Sequence, residues 1–346
     1  MQSRAWIIAC AEAFEAGADL CITLVEDASG VLAVAPLVTR PGFPGTVELL
    51  GVRELSEPTD FVYRDLAALT LMLRIAGRGS RPVILHRVPD RSPSIQTIRQ
   101  HFRRRAVILA RPGNSCPYID LTGAEADPDA LLSASLRSDL RRAQRKAEAL
   151  GKLTFEIHAP RSAEAFLPLF EEAIRVEGAG WKGRDGSALA MDERARAFFR
   201  RYGILASEEG ALRLALLRIN GVPAAMQYAV QWHGGLWLLK VGYDEQFSKC
   251  SPGLLLMQHT LRDAVAQGLR SYEFLGSAEP WTQRWTNAEA TTARLAVYPV
   301  GFPGMLSLGR DAFRAARRKL AARLAARRKT PAPAEHPPRI PSPQHA

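Results

Sequence analysis

The sequence predicts a mixed α/β fold, with a mainly antiparallel sheet flanked by helices and laid out in two similar halves. Three observations predict it. Apolar runs of strand length alternate with amphipathic helical spacing along most of the 346 residues. Asn220-Gly221 joins two such runs, a strong two-residue hairpin signal. The stretch from Gly235 to Gly276 parses as strand, loop, helix, strand, and the rest of the chain is arranged around it.

In chain order, Arg4 to Ala16 reads as a short helix. Leu20 to Glu26 and Val31 to Val38 are strands joined by the turn Asp27-Ala28-Ser29-Gly30. Thr46 to Val52 is a third strand, and Asp65 to Ala76 a helix ended by Gly77. Pro82 to Val88 is a strand, Ser94 to Arg104 a helix, and Ala106 to Ala110 a strand before the loop Arg111 to Cys116. Ala134 to Leu150 is a basic helix carrying Arg137, Arg141, Arg142, Arg145 and Lys146. Its cations form either a solvated face or a face that meets phosphate or an acidic partner.

Leu153 to His158 (strand) and Ser162 to Glu177 (helix) follow. Then come the glycine-rich loop Gly178 to Gly186 and a helix from Asp192 to Tyr202. Ala211 to Ile219, Val222 to Gln231 and Leu236 to Gly242 form a three-strand meander. Ser251-Pro252 opens the next helix, with serine as N-cap and proline in the first turn, where its missing N–H costs nothing. Ser271 to Leu275 returns as a strand, Pro280 to Trp285 is a turn, and Thr292 to Val300 is a last strand. The expected domains are 1–125 and 152–303, with 126–151 as a linking helix, 304–329 as a basic amphipathic helix and 330–346 as a proline-rich disordered tail.

Hydrophobic content of 47% with 23% charged residues fits a globular body with a well-buried core. No run reaches the roughly 18 apolar residues of a membrane span. The start carries Glu12, Glu15 and Asp19 where a secretory signal needs an apolar core. Cys10, Cys21, Cys116 and Cys250 are scattered without a CxxC pair, which argues against a zinc site and a disulfide scaffold. The expectation is a cytoplasmic protein with reduced thiols and no metal. The net charge is +11, but nine Lys or Arg against Asp311 alone fall between Leu306 and Lys329. The body is therefore nearly balanced, and the basic pI is no evidence for nucleic-acid binding.

A meander followed by a strand-to-helix turn is compatible with an acyl-CoA site. The strand containing Val241 and Gly242 would flank an extended pantetheine arm. The helix start at Ser251, Pro252, Gly253 and Leu254 would offer N–H groups to a pyrophosphate. Gly242 and Gly253 would permit close backbone approach.

The sequence also resembles a known family. The features are the basic segment Leu136 to Ala147, Trp181-Lys182-Gly183, Gly242-Tyr243-Asp244, Ser251-Pro252-Gly253, Tyr272-Glu273-Phe274 before Gly276, and Glu279-Pro280-Trp281 leading to Arg284-Trp285. In order and spacing these resemble the acetyltransferase-like proteins of the GNAT superfamily associated with cellulose and exopolysaccharide biosynthesis (the CelD/BcsL-like group), related to Fem-type aminoacyl transferases. The resemblance implies two tandem GNAT-like halves and an acyltransferase using acetyl-CoA or another acyl-CoA. The implied acceptor is a sugar or cell-envelope precursor. The family's glycine-rich loop is reduced here to Ser251-Pro252-Gly253.

Acyl transfer needs a base for the acceptor and an acid for the leaving thiolate. Glu273 is the candidate base and Tyr243 the candidate acid. Trp181, Lys182 and Trp281 suit an acceptor site, aromatic for stacking on a sugar and cationic for an anionic group. His259 reads as structural. Two rivals stand beside this reading: a Fem-like transferase using aminoacyl-tRNA, with the basic helix as the tRNA contact, and a non-catalytic component of a polysaccharide synthesis complex. The tail helix is either a solubilising end piece or a peripheral contact with the inner membrane.

Overall fold

Two mixed sheets of seven strands carry the fold. In the first, β1 (Asp19–Asp27), β2 (Gly30–Arg40), β3 (Thr46–Leu49), β5 (Val83–Pro89), β14 (Thr292–Pro299) and β6 (Ala106–Pro112) lie side by side, with β4 (Val62–Tyr63) paired to β2. In the second, the order is β13 (Glu289–Ala290), β7 (Cys116–Asp120), β12 (Ser271–Glu273), β11 (Gly235–Tyr243), β10 (Val222–Trp232), β9 (Leu212–Ile219) and β8 (Leu153–His158). All pairings are antiparallel except β3 with β5 and β11 with β12. The helices are α1 (Arg4–Phe14), α2 (Val52–Leu55), α3 (Leu66–Ala76), α4 (Pro93–His101), α5 (Ala134–Glu148), α6 (Ala163–Gly178), α7 (Glu193–Glu208), α8 (Pro252–Ala266) and α9 (Phe302–Arg328). This computed structural model describes residues 3–14, 19–42, 45–77, 79–123, 127–180 and 191–328, the last helix with side chains to 321.

The local rules hold well in the meander. Asn220 and Gly221 both take positive φ, 49° and 80°, as the two-residue hairpin requires. Asp65 caps α3 by accepting from the Ala68 N–H. Other elements differ from the sequence expectation. β12 stops at Glu273 because Leu275 and Gly276 turn to φ 58° and 54°. β7 follows the loop Arg111 to Cys116 in a stretch for which the sequence reading gives no element, and α7 continues to Glu208.

The expected domain boundaries do not coincide with the hydrogen bonding. β14 was expected to close the C-terminal half, yet it lies between β5 and β6 in the first sheet. β7 crosses the other way into the second sheet. α1 packs on α7, with Trp6 edge-on to Phe198 at 4.9 Å and to Tyr202 at 5.1 Å. The expected linking helix is also a core element. α5 buries Leu136, Leu140, Ala143 and Ala147, spaced for one helical face, in the same cluster as α8. Ser133 caps it by accepting from the Leu136 N–H.

α8 is tied to the second sheet by a buried polar network. Thr260 Oγ1 donates to Gln227 Oε1 at 2.8 Å, and Tyr272 Oη donates to the same oxygen at 3.2 Å. A fully satisfied network of this kind fixes one register of helix on sheet.

Candidate active site

β11 pairs with β10 along its whole length, but with β12 only across Gly235–Trp237 and Ser271–Glu273. Past Trp237, β11 has no strand partner on that side among the described residues. β12 ends at Glu273, so the sheet is left open beside the second half of β11. β11 also carries a bulge here: Tyr228 faces Lys240 and Ala229 faces Leu238, so Leu239 is the extra residue. Such a bulge bends and twists a strand locally.

α8 starts beyond this open edge. Ser251 takes φ 50° and ψ 56° and makes no side-chain cap, which corrects the expectation of a serine N-cap. Pro252 brings no N–H, and Gly253 lies next to it. A Cβ on Gly253 would meet only Tyr243 Cδ1 at 3.7 Å, so this glycine leaves open space over the helix start. Gly242 differs: a Cβ there would lie 2.8 Å from the Glu177 Cα. Its missing side chain admits α6, and this corrects the reading of Gly242 as room for a ligand. Val241 and Leu254 are half-buried beside the α5–α8 cluster. Lys249, just before the helix start, is exposed, as are Lys146, Arg145 and Arg141 on α5, and Lys146 is near enough to Cys250 to oppose the rise that burial imposes on its thiol.

The opposite face of the sheet holds a second group. Alternation along β12 puts Tyr272 in the α8 core and Glu273 on the other side. Burial raises the Glu273 carboxyl above its usual range, and a hydrogen bond from Ser271 partly offsets this. Cys116 on β7 shares this face, its thiol raised by burial and by the charges of Glu57 and Glu273. The Arg87 guanidinium, 8% exposed, donates to Cys116 Sγ at 2.9 Å and to the Ser56 and Gly276 carbonyls. Glu57 accepts from the Gly276 N–H at 3.3 Å. Its carboxyl is raised by burial, with Gly276, Arg87 and Lys240 opposing the rise. Lys240, next to the bulge, lies over the Phe199 ring at 5.0 Å and lines a cavity of about 120 Å³ with Glu54, Glu57, Asp192 and Leu239. Arg87, Ser56 and Leu275 all take positive φ, so strained backbone is concentrated at this junction of the two sheets.

The candidate acid and base are thus not brought to one face. Tyr243 packs against the α8 side, and Glu273 faces the junction. Trp281 is 37% exposed, edge-on to Phe274 and donating to Glu279 at 2.8 Å. Trp181 and Lys182 lie outside the described residues. His259 stacks on Phe155 at 4.6 Å. Sequence reasoning missed Glu57, Arg87 and Lys240. For Arg87 and Lys240 the available signal was a charge inside an apolar strand, in VILHRVP and LWLLKVGY; Glu57, between elements, offered none. A cleft of about 570 Å³ is a separate feature at the far end of β7, lined by Asp120, Ser133, Asp139, Gln283, Arg284 and Asn287. Among the described residues, no group of three His, Cys, Asp or Glu is placed to hold a metal.

Residues 134–283 match the family model described as the acetyltransferase (GNAT) domain. Three solved structures are similar in fold over most of the chain at low identity. FemX is 12% identical with a TM-score of 0.57, over 86% of this chain and 92% of its own. The C-terminal domain of a lysylphosphatidylglycerol synthetase homologue from Agrobacterium fabrum is 13% identical with a TM-score of 0.53, over 87% and 90%. L-PGS from Bacillus licheniformis is 12% identical with a TM-score of 0.53, over 86% and 91%. No curated protein matches the chain.

Proposed function

We propose that the chain is an acyl-CoA-dependent N- or O-acyltransferase, with acetyl as the first acyl group to test and a sugar or cell-envelope precursor as acceptor. The observation that carries this reading is the end of β12 at Glu273, which leaves the second half of β11 without a strand on that side among the described residues, with the uncapped start of α8 beyond it. In this reading the open edge of β11 takes an extended pantetheine arm. The helix start, open at Gly253, with Lys249 just before it in the chain and Lys146 near Cys250, suits a pyrophosphate. The GNAT match over 134–283 spans both elements.

In this reading Glu273 accepts the proton of the attacking amine or hydroxyl. Its raised carboxyl makes it a stronger base than an ordinary glutamate once ionised. As the new bond to the acyl carbon forms and the carbon–sulfur bond breaks, Tyr243 gives its proton to the departing thiolate. A Fem-like, aminoacyl-tRNA-dependent transfer is the alternative, favoured by the exposed cations of α5. The test is thiol release from acetyl-CoA with amino sugars and nucleotide sugars as acceptors, beside transfer of a labelled amino acid from charged tRNA. Acceptor-dependent thiol release, lost in Glu273→Gln, supports the first reading. Label transfer without thiol release replaces it with the second.

A further inference from the structure

α9 is anchored to the body by one face of its first turns. Gly304 and Ser307 are buried there, and Leu308 packs on Ile84, Ala296 and Tyr298. Tyr298 Oη donates to Asp311 at 2.7 Å and closes the anchor. At 3.6 residues per turn, Gly304, Ser307, Leu308 and Asp311 share one side of the helix. Phe302, Met305, Phe313 and Leu320 point away from that side, Met305 at the margin and the other three directly opposite. They are exposed to 73%, 37%, 63% and 59%, which is unusual for apolar side chains aligned along one stripe. Arg310, Arg314 and Arg317 flank this stripe on one side and Lys319 on the other, and Arg317 stands 6.0 Å over the Phe313 ring.

We infer that α9 is an interfacial helix that docks the protein on an anionic lipid surface. The stripe faces away from the body, so the helix can lie in the headgroup plane without losing its anchor. Aromatic and aliphatic side chains enter the acyl boundary while the flanking cations meet lipid phosphates. Charge decides among occupants. A second copy of α9 would set two basic rows against each other. A nucleic-acid backbone would satisfy the cations but leave the apolar stripe in water. Among the described residues no helix is long and apolar enough to cross a membrane, so the contact is peripheral.

The test is sedimentation of the full-length protein with phosphatidylcholine vesicles, with and without phosphatidylglycerol. Binding is expected only with phosphatidylglycerol, weakening as salt is raised. The double variant Phe313→Ser, Leu320→Ser keeps every charge and changes only exposed residues. Its affinity should fall at least about tenfold, because the inserted apolar area is gone. Phe313→Trp should shift its emission to the blue on the anionic vesicles. No sedimentation with phosphatidylglycerol would overturn the inference. So would a double variant that binds as well as the parent, or an RNA duplex that strips the protein from the vesicles.

Discussion

The two faces of the sheet beside the open edge of β11 are built in different ways. The face at the start of α8 is made of main chain, an open glycine and exposed cations that act through long-range charge. The junction face is made of side chains from separate segments, Arg87 and Cys116 buried and Glu57, Lys240 and Glu273 half-buried. A main-chain site tolerates most substitutions, because its donors survive them. A site of buried charges tolerates few, because each charge is held by its neighbours. The comparison separates acyl-CoA binding and the acid Tyr243, assigned to the first face, from the base Glu273, assigned to the second.

The largest effect should come from Arg87→Ala. It removes the donor to two carbonyls and Cys116 and leaves Glu57 short of a compensating charge, so a loss of about 3 kcal/mol in urea unfolding is expected. Glu273→Gln should then sharpen the comparison. Turnover should fall about a hundredfold or more with acyl-CoA affinity unchanged. In the parent, turnover should rise with pH through a midpoint above the ordinary glutamate value.

Stability should move the opposite way. A carboxyl raised in the folded state stabilises fully below its unfolded pKa, about 4.3, and loses that contribution as pH rises through the folded value. Glu273→Gln should flatten that decline and leave the melting temperature at neutral pH equal or higher.

Gly242→Ala should cost about 2 kcal/mol, since the new methyl meets the α6 backbone. Equal stability would break the distinction drawn between the two glycines. Ser133→Ala, which removes the α5 cap, should cost about 1 kcal/mol and leave both faces intact.

Local chemistry was readable from sequence. The Asn220-Gly221 hairpin, the helix start at Pro252 and the meander follow from residue type and spacing, and the structure keeps them. The exchange of β14 and β7 between sheets was not readable, because strand pairing over such separations leaves no periodic mark. The same limit hid the junction. Glu57 and Arg87 approach Gly276 only after the sheets have packed, and no local pattern ties them together.

The most direct measurement is calorimetric titration with acetyl-CoA and free CoA, on the parent and on Gly253→Asp. The substitution puts a carboxylate at the open helix start, where a Cβ meets only Tyr243 at 3.7 Å, so the fold should hold. Saturable binding to the parent, weakened at least about tenfold in the variant, is the predicted result. Absence of binding to the parent, or equal binding to both proteins, would contradict the assignment of this face to acyl-CoA.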